Sequence, residues 1–166
     1  MNDRVASIQA EWAVERPDVD VSPQGIIGRL HRLAGYLTAE LLTVYERHGL
    51  GEGEFDVLAT LRRAGTPYER APGELAEHTM VTTGAMTKRL DRLVEAGLVE
   101  RRTAEDDGRR RIVALTPAGL ALIDAAFAEH MDNERRLVDD LSAGDREALE
   151  GILQRWLGVY EGSATA

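Results

Sequence analysis

The chain opens with two stretches in which apolar residues recur every three or four positions, the spacing of an amphipathic helix. The first predicts a helix over residues 3–16 that ends at Pro17. The second predicts a helix of roughly 26 residues from Ser22-Pro23, as N-cap and first position, to Gly49. Their apolar positions are Val5, Ile8 and Trp12, and then Ile26, Leu30, Leu33, Leu37, Leu41, Leu42 and Tyr45. A helix as long as the second is expected to span the molecule or to pack against a second subunit.

The middle of the chain combines three shorter helices with a hairpin. Apolar residues surround much of the first segment, 52–65, which predicts a central helix. A short helix from Pro72 and a longer one that ends at Gly97 are separated by a tight break, the pattern of a helix-turn-helix. Two β-forming runs, 98–104 and 110–116, flank a polar turn that contains glycine. They predict a hairpin that forms a wing beside the helix pair.

The last third of the chain is helical again. Thr116-Pro117 predicts the start of one helix, and Ser142, with Asp145 three residues on, caps the last one. We therefore predict a mainly α fold with a small β-hairpin wing, a winged helix-turn-helix with N- and C-terminal dimerisation helices. The predicted boundaries are 1–166 for a single domain, 51–116 for the DNA-binding region, and 1–48 and 117–160 for the dimerisation helices.

Composition fits one folded domain. The 166 residues are 43% hydrophobic and 30% charged and include no cysteine, which excludes disulfides and thiol chemistry. No run approaches the roughly 18 apolar residues that a membrane span needs, and no signal peptide is evident, so we expect a cytoplasmic protein without a membrane partner. The net charge of −9 argues at first against nucleic acid. Residues 83–111 nevertheless carry eight Lys/Arg against six acids, which confines a DNA-binding face to this segment.

No motif for catalysis or for a cofactor is evident. The sequence lacks a Gly-x-Ser-x-Gly motif, a phosphate-binding glycine loop and a dinucleotide fingerprint. The histidines show no spacing typical of metal ligands: His31, His48, His78 and His130. We therefore expect neither an enzyme nor a resident cofactor or metal.

Two segments, LAEHTMVTTGAMTKRLDRLVEAGLVERR and DDGRRRIVALTPAG, carry a family pattern. They combine paired helices, Gly-Leu-Val before the first wing strand, Asp-x-Arg at the wing tip and Leu-Thr-Pro-x-Gly at the next helix, in that order. On these residues the chain resembles the MarR family of transcriptional regulators, and the likeness extends over nearly the whole chain. A further block resembles the PecS-like and urate-responsive branch, which has an extra N-terminal helix: Trp12, Arg16-Pro17-Asp18, Gly28-Arg29-Leu30 and GEFDVLATLRRAG.

The second helix of the helix-turn-helix is the expected recognition helix. Three apolar residues predict its buried face: Met86, Leu90 and Leu93. At about 100° per residue, Lys88 and Arg92 fall on the opposite side, and Thr82 and Thr83 lie at the end that enters a major groove first. These side chains suit contacts with phosphates and base edges. The alternative is an ordinary N-cap threonine and a solvated charged face.

At the wing tip, Asp107 and Arg109 match the family pattern, in which the arginine reaches into the minor groove and the aspartate orients it. A narrow A·T-rich minor groove attracts arginine through its enhanced negative potential. Arg110 is a candidate for a further phosphate contact. On the residues alone, the alternative is a charged hairpin tip in solvent.

The urate-responsive branch binds its effector through a tryptophan, an aspartate and two arginines, and the matching positions here are Trp12, Asp56, Arg89 and Arg101. Arg89 is angled toward the interior, and Asp56 lies in the most apolar helix, where an unpaired carboxylate is costly. An aromatic face can stack on a flat anion, and arginine side chains can bind its oxygens. The alternative is a structural ion pair, with Trp12 as a packing anchor.

The resemblance implies a homodimer that binds pseudo-palindromic operator DNA, acts as a repressor and releases DNA when a small anion such as urate binds. Two alternatives stay open at this point. One is a response to citrate- or aconitate-like carboxylates instead of urate. The other is a winged-helix protein-interaction module that has lost DNA binding, which the acidic net charge allows.

Overall fold

The chain folds into helices and strands in the order that the sequence predicts, with one strand added. The computed structural model describes residues 3–79, 82–103 and 111–162. The elements are α1 (Arg4–Glu15), α2 (Gln24–Arg47), α3 (Glu52–Arg63), β1 (Glu69–Arg70), α4 (Pro72–His78), α5 (Thr83–Glu95), β2 (Val99–Thr103), β3 (Arg111–Leu115), α6 (Pro117–Leu137) and α7 (Ala143–Glu161). The prediction of a mainly α fold with a small β-hairpin is confirmed.

Hydroxyl caps begin three of the helices. The side-chain oxygens of Thr82, Thr116 and Ser142 accept hydrogen bonds from backbone N–H groups three residues further on, at 3.3, 3.0 and 3.2 Å. The predicted caps at Thr116 and Ser142 are confirmed. The predicted cap at Ser22 is wrong, because the hydroxyl and the backbone N–H of Ser22 both bind Asp20, at 3.0 and 2.9 Å. As a result, α2 starts after Pro23 without a side-chain cap.

The three strands form one antiparallel sheet in the order β1-β3-β2. β2 pairs with β3 along its whole length and forms the base of the predicted hairpin. β1 was not predicted: its residues Glu69 and Arg70 pair with Ala114 and Val113. Two residues are too few to show the alternation by which a strand is recognised in a sequence. The added strand joins the start of the helix-turn-helix to the base of the wing.

Helix α3 lies at the centre of the core, as its apolar circumference predicts. Val57, Leu58 and Leu61 are fully buried, and α3 contacts α2, α4, α5, α6 and the sheet. The three residues predicted for the inner face of α5 are buried as well: Met86, Leu90 and Leu93. This packing determines which face of α5 is left to solvent.

The terminal helices α1, α2, α6 and α7 carry most of the exposed apolar surface. α7 contains no buried residue. Between α2 and α7 lies an open apolar groove of about 1030 Å³, lined in part by Ile27, Leu30, Leu153 and Leu157. The terminal helices therefore present apolar faces that their own chain leaves largely uncovered.

Within the described ranges, no helix is both long and apolar enough to cross a membrane.

Candidate nucleic-acid interface and ligand site

Helix α5 presents a polar face opposite its buried residues. Gly84 and Lys88 are exposed, and Lys88 makes no hydrogen bond or ion pair with the described part of the chain. Thr82 caps the N-terminal end through its hydroxyl, 3.3 Å from the amide nitrogen of Ala85, and Thr83 is the first residue of α5. This face and this end of α5 have the exposure that entry into a major groove requires.

Arg92, in the last turn of α5, is bound to α3. Its Nη1 lies 2.7 Å from Oε1 of Glu54. The Glu54 side chain is only 13% exposed, whereas that of Arg92 is 67% exposed. Sequence analysis placed Arg92 on the DNA face and missed its partner, because the two residues are 38 positions apart in the chain.

Arg89 turns toward α3, as its angle on the helix predicts. Its guanidinium lies over Gly53, where an added Cβ would overlap Nε and Cζ of Arg89. Nη1 of Arg89 is buried and has no hydrogen-bond partner among the described residues. Because a buried cationic donor without an acceptor is costly, this nitrogen marks a place where an anion would be stabilised.

Asp56 lies close enough to Arg89 for their charges to interact, although no hydrogen bond or ion pair joins the two side chains in the described structure. Burial raises the pKa of the Asp56 carboxyl above its ordinary value, and Glu52 raises it further, while Arg89 and Arg63 lower it. The charge of Arg89 therefore offsets only part of the effects that raise the pKa of Asp56. These two predicted ligand residues are brought together by the packing of α5 on α3.

An aromatic cluster lies near Asp56, which directly follows Phe55 in α3. The rings of Tyr45 and Phe55 stack with centroids 4.1 Å apart, and the His130 ring lies 5.0 Å from that of Phe55. The Tyr45 hydroxyl is 3.3 Å from Nδ1 of His130. Burial, and next the charge of Asp56, raises the pKa of Tyr45 to about 12. Sequence analysis missed this use of His130, because the hydrogen bond joins residues 85 positions apart.

Trp12 lies far from the Arg89–Asp56 pair within one chain. It lines a hollow at the junction of α1 and α2 together with Arg16 and Gln24. Gln24 begins α2, and Tyr45, which stacks beside Asp56, lies near its end. At 1.5 Å per residue, about 32 Å of helix separates these two positions. The structure does not bring Trp12 to the pair in a single protomer.

Arg101 also lies apart from the pair, on the other side of α5. Its Nη1 is 2.7 Å from Oδ1 of Asp91, and its Nη2 donates to the carbonyl oxygen of Thr87 at 3.4 Å. Asp91 follows Arg89 by two residues, which is about 200° around the helix. Of the four predicted ligand residues, one chain therefore brings only Asp56 and Arg89 together.

The predicted wing residues, Asp107 and Arg109 for the minor groove and Arg110 for a phosphate, lie outside the described residues. The strands that lead to them are described: Nη1 of Arg111 donates to Oγ1 of Thr103 at 3.2 Å, at the end of the paired strands that is nearest the turn. The roles of the three residues stay predictions.

A helix-turn-helix whose second helix is open on one face, followed by an antiparallel hairpin, defines a winged helix-turn-helix DNA-binding protein. Comparison with known proteins gives the family. Residues 48–110 match the model of the MarR family. The chain is 38% identical to the HTH-type transcriptional regulator PecS of Dickeya dadantii over 151 residues, which are 91% of this chain and 91% of PecS. The chain belongs to the MarR family.

Solved structures agree with this assignment. A mutant of MarR from E. coli complexed with operator DNA is 30% identical, with a TM-score of 0.70, and the match covers 84% of this chain and 99% of that chain. AbsC, a MarR family transcriptional regulator from Streptomyces coelicolor, is 23% identical with a TM-score of 0.75, over 87% of this chain and 98% of AbsC. At that identity AbsC supports the fold alone. The chain is a DNA-binding transcriptional regulator and not an enzyme.

Proposed function

We propose that the protein is a homodimeric repressor, that it binds pseudo-palindromic operator DNA, and that a small anion such as urate releases it. The observation that carries the regulatory part is the buried Nη1 of Arg89 between α3 and α5, which has no hydrogen-bond partner in the part of the chain that the structure describes. A repressor acts where the chromosome lies, so a cytoplasmic location is part of the proposal.

The uncovered apolar faces of the terminal helices support the homodimer. Monomeric proteins rarely leave large contiguous apolar patches exposed. The exposed residues include Ile26, Ile27, Leu33 and Leu37 on α2, and Leu149, Ile152, Leu153 and Leu157 on α7. A second copy related by a two-fold axis covers the same patch on both chains at once. The same axis gives two α5 helices the symmetry of a pseudo-palindromic operator.

For DNA binding, we assign the N-terminal end of α5 to the major groove and the wing to the minor groove. Thr82, Thr83 and Lys88 are the proposed contacts of α5, because that end of the helix and the Lys88 side chain are open. Arg109, oriented by Asp107, is the proposed minor-groove residue, and Arg110 the proposed phosphate contact.

For release, an anion would bind Nη1 of Arg89 and place a second negative charge near Asp56. Asp56 is already held in an environment that disfavours its carboxylate, so added negative charge would push α3 and α5 apart. A change in the position of α5 weakens DNA binding. A difference of about 1–3 kcal/mol between the anion affinities of the DNA-bound and DNA-free states is sufficient for a measurable response.

The chemistry of the anion depends on what covers its flat face. Trp12 can stack on urate only if the second copy of the dimer brings it to Arg89, because the two lie far apart in one chain. Arg101 would have to leave Asp91 to reach the same anion. A carboxylate such as citrate needs neither an aromatic face nor Trp12, and it is the second candidate effector.

The test is DNA release measured by fluorescence anisotropy, on a labelled duplex from upstream of the gene for this protein. Urate and citrate are titrated into the complex. We expect one of them to release the wild type, and Arg89→Ala to need at least about ten-fold more of it. The control Arg62→Ala removes an exposed arginine from the neighbouring helix α3. It is expected to respond as the wild type does, because the ion pair of Arg62 with Asp124 is solvent-exposed.

Trp12→Phe separates the two candidate effectors. A weaker response to urate in this variant supports a planar ligand that stacks on Trp12, and an unchanged response to citrate supports the carboxylate. If neither anion releases the wild type from DNA, the effector proposal is wrong, whereas the family assignment stands.

A further inference from the structure

We infer that the ion pair between Glu54 and Arg92 sets the position of the recognition helix, so that Arg92 is a positioning residue for DNA recognition and not a DNA contact. The inference replaces the direct role that the sequence predicts for Arg92. It depends on the DNA-binding activity of the family and is independent of the proposed effector.

The burial of Glu54 is the first argument. Its carboxylate is largely shielded from water, and the ion pair to Arg92, at 2.7 Å, supplies its counter-charge. Transfer of Arg92 to a DNA phosphate would leave this carboxylate shielded and unpaired. The free-energy cost of leaving a shielded charge unpaired is larger than the stabilisation that an exposed ion pair provides. Arg92 therefore stays with Glu54 when DNA binds.

The two helix ends are the second argument. Glu54 lies in the first turn of α3, where the helix dipole favours a negative charge, and Arg92 lies in the last turn of α5, where it favours a positive charge. Oε2 of Glu54 is also turned back toward the start of its own helix, 2.5 Å from the position of an added Cβ at Gly51. Both charges are stabilised where they stand, which strengthens the contact between the two helices.

The place of Arg92 along α5 is the third argument. It follows the cap Thr82 by ten residues, or about 15 Å along the helix axis. In a helix-turn-helix the N-terminal residues of the recognition helix contact base edges. The end of α5 that lies away from the groove is therefore anchored on α3, while its N-terminal end is open to DNA.

The salt dependence of DNA binding tests the inference, because each phosphate contact contributes a slope of about −0.9 to log K against log salt. Wild type, Arg92→Ala and Lys88→Ala are compared on the same duplex between low and moderate salt. We expect Arg92→Ala to bind at least about three-fold more weakly with an unchanged slope. Lys88→Ala is the control, and we expect its slope to be shallower by about 0.9 for each phosphate that Lys88 neutralises. A slope that becomes equally shallow in Arg92→Ala overturns the inference.

Glu54→Gln gives a second test, because the two possible roles of Arg92 predict opposite changes in DNA affinity for this variant. If Glu54 positions α5, this variant binds DNA more weakly at the same slope, and adding Arg92→Ala weakens binding no further. If Arg92 is a DNA contact that Glu54 restrains, Glu54→Gln binds more tightly with a steeper slope, and the inference is wrong. Arg92→Lys keeps the positive charge and can still reach Glu54, so we expect it to bind DNA nearly as the wild type does. It replaces Arg92→Ala in the comparison if that variant does not fold.

Discussion

Gly119, in the first turn of α6, lies in direct contact with the backbone of Leu98, and an added Cβ at this glycine would overlap the Leu98 carbonyl oxygen. Thr116 strengthens the same contact, because its Oγ1 donates to the carbonyl oxygen of Gly97 at 2.7 Å. Gly97 and Leu98 lead out of α5, and α6 is one of the terminal helices. This joint connects the recognition helix to the proposed dimer interface.

We expect Gly119→Ala to destabilise the protein by at least about 2 kcal/mol, because the backbone of Leu98 can yield only if α6 or β2 shifts. Gly84→Ala is the matched control: nothing lies within 4 Å of an added Cβ there, and we expect a gain of up to about 1 kcal/mol in an exposed helical position. Thermal unfolding at equal protein concentrations gives the comparison. Equal stability of the two variants would show that the joint is not tight.

Asp56 predicts a pH dependence of stability. Its pKa is raised in the folded chain by burial and by Glu52. The contribution of the Asp56 carboxyl to the stability of the folded chain is therefore fully present at a pH below the ordinary pKa of 3.8. It is lost as the pH rises through the raised pKa. At neutral pH we expect Asp56→Asn to be more stable than the wild type, by about 1 kcal/mol, and the advantage to vanish in acid.

Asp3→Asn is the control for this pH dependence, with the opposite sign. A hydrogen bond from Arg29 lowers the pKa of the Asp3 carboxyl, so its contribution to stability is present at neutral pH and is lost in acid. The free energy of unfolding of both variants is measured by denaturant titration between about pH 3 and pH 8, a range that includes the region in which carboxyl groups titrate. An Asp56→Asn advantage that persists at the acid end would contradict the assignment.

Gly53→Ala tests the proposed effector site without removing a charge. The added Cβ overlaps the Arg89 guanidinium and forces that side chain out of its place over α3. We expect the variant to bind DNA within about three-fold of the wild type but to need at least about ten-fold more anion for release. Gly73→Ala, where an added Cβ meets nothing within 4 Å, is the control. A wild-type response in Gly53→Ala would place the effector elsewhere.

Arg109→Ala is expected to weaken binding most at operators flanked by A·T pairs, because the negative potential of a narrow minor groove is what attracts the arginine. The decrease in binding free energy should be about 1–3 kcal/mol on such a duplex and smaller on one with G·C flanks. Competition binding with the two duplexes measures the difference. Equal decreases on both would favour a phosphate contact in place of a minor-groove contact.

The proposed homodimer predicts a mass of twice the 18.2 kDa of the chain in light scattering. Leu153→Glu puts a charge into the apolar groove between α2 and α7, and we expect it to shift the protein toward monomer. Val94→Glu is the matched control, since Val94 is an exposed apolar residue on α5. A wild-type monomer at micromolar concentration would exclude the dimer.

Interactions between residues close together in the chain allowed the helix caps and the buried face of α5 to be predicted from the sequence. Apolar spacing within α5 predicts the burial of Met86, Leu90 and Leu93, because a helix places residues three and four apart on one side. The same angles correctly turn Arg89 inward. Thr116 and Ser142 cap their helices through atoms only three residues away, so a short stretch of sequence holds the whole interaction.

Only the tertiary structure decided which groups stand opposite one another. Periodicity places Arg92 away from the buried face but carries no information about Glu54, which the fold brings to it from α3. Arg101 and Trp12 match a ligand pattern in the sequence, yet an ion pair to Asp91 and the length of α2 separate them from Arg89 in one chain. The pairing of β1 with β3 is hidden for the same reason. Contacts between residues distant in the chain depend on how the helices pack, and helix packing is a property of all their side chains together.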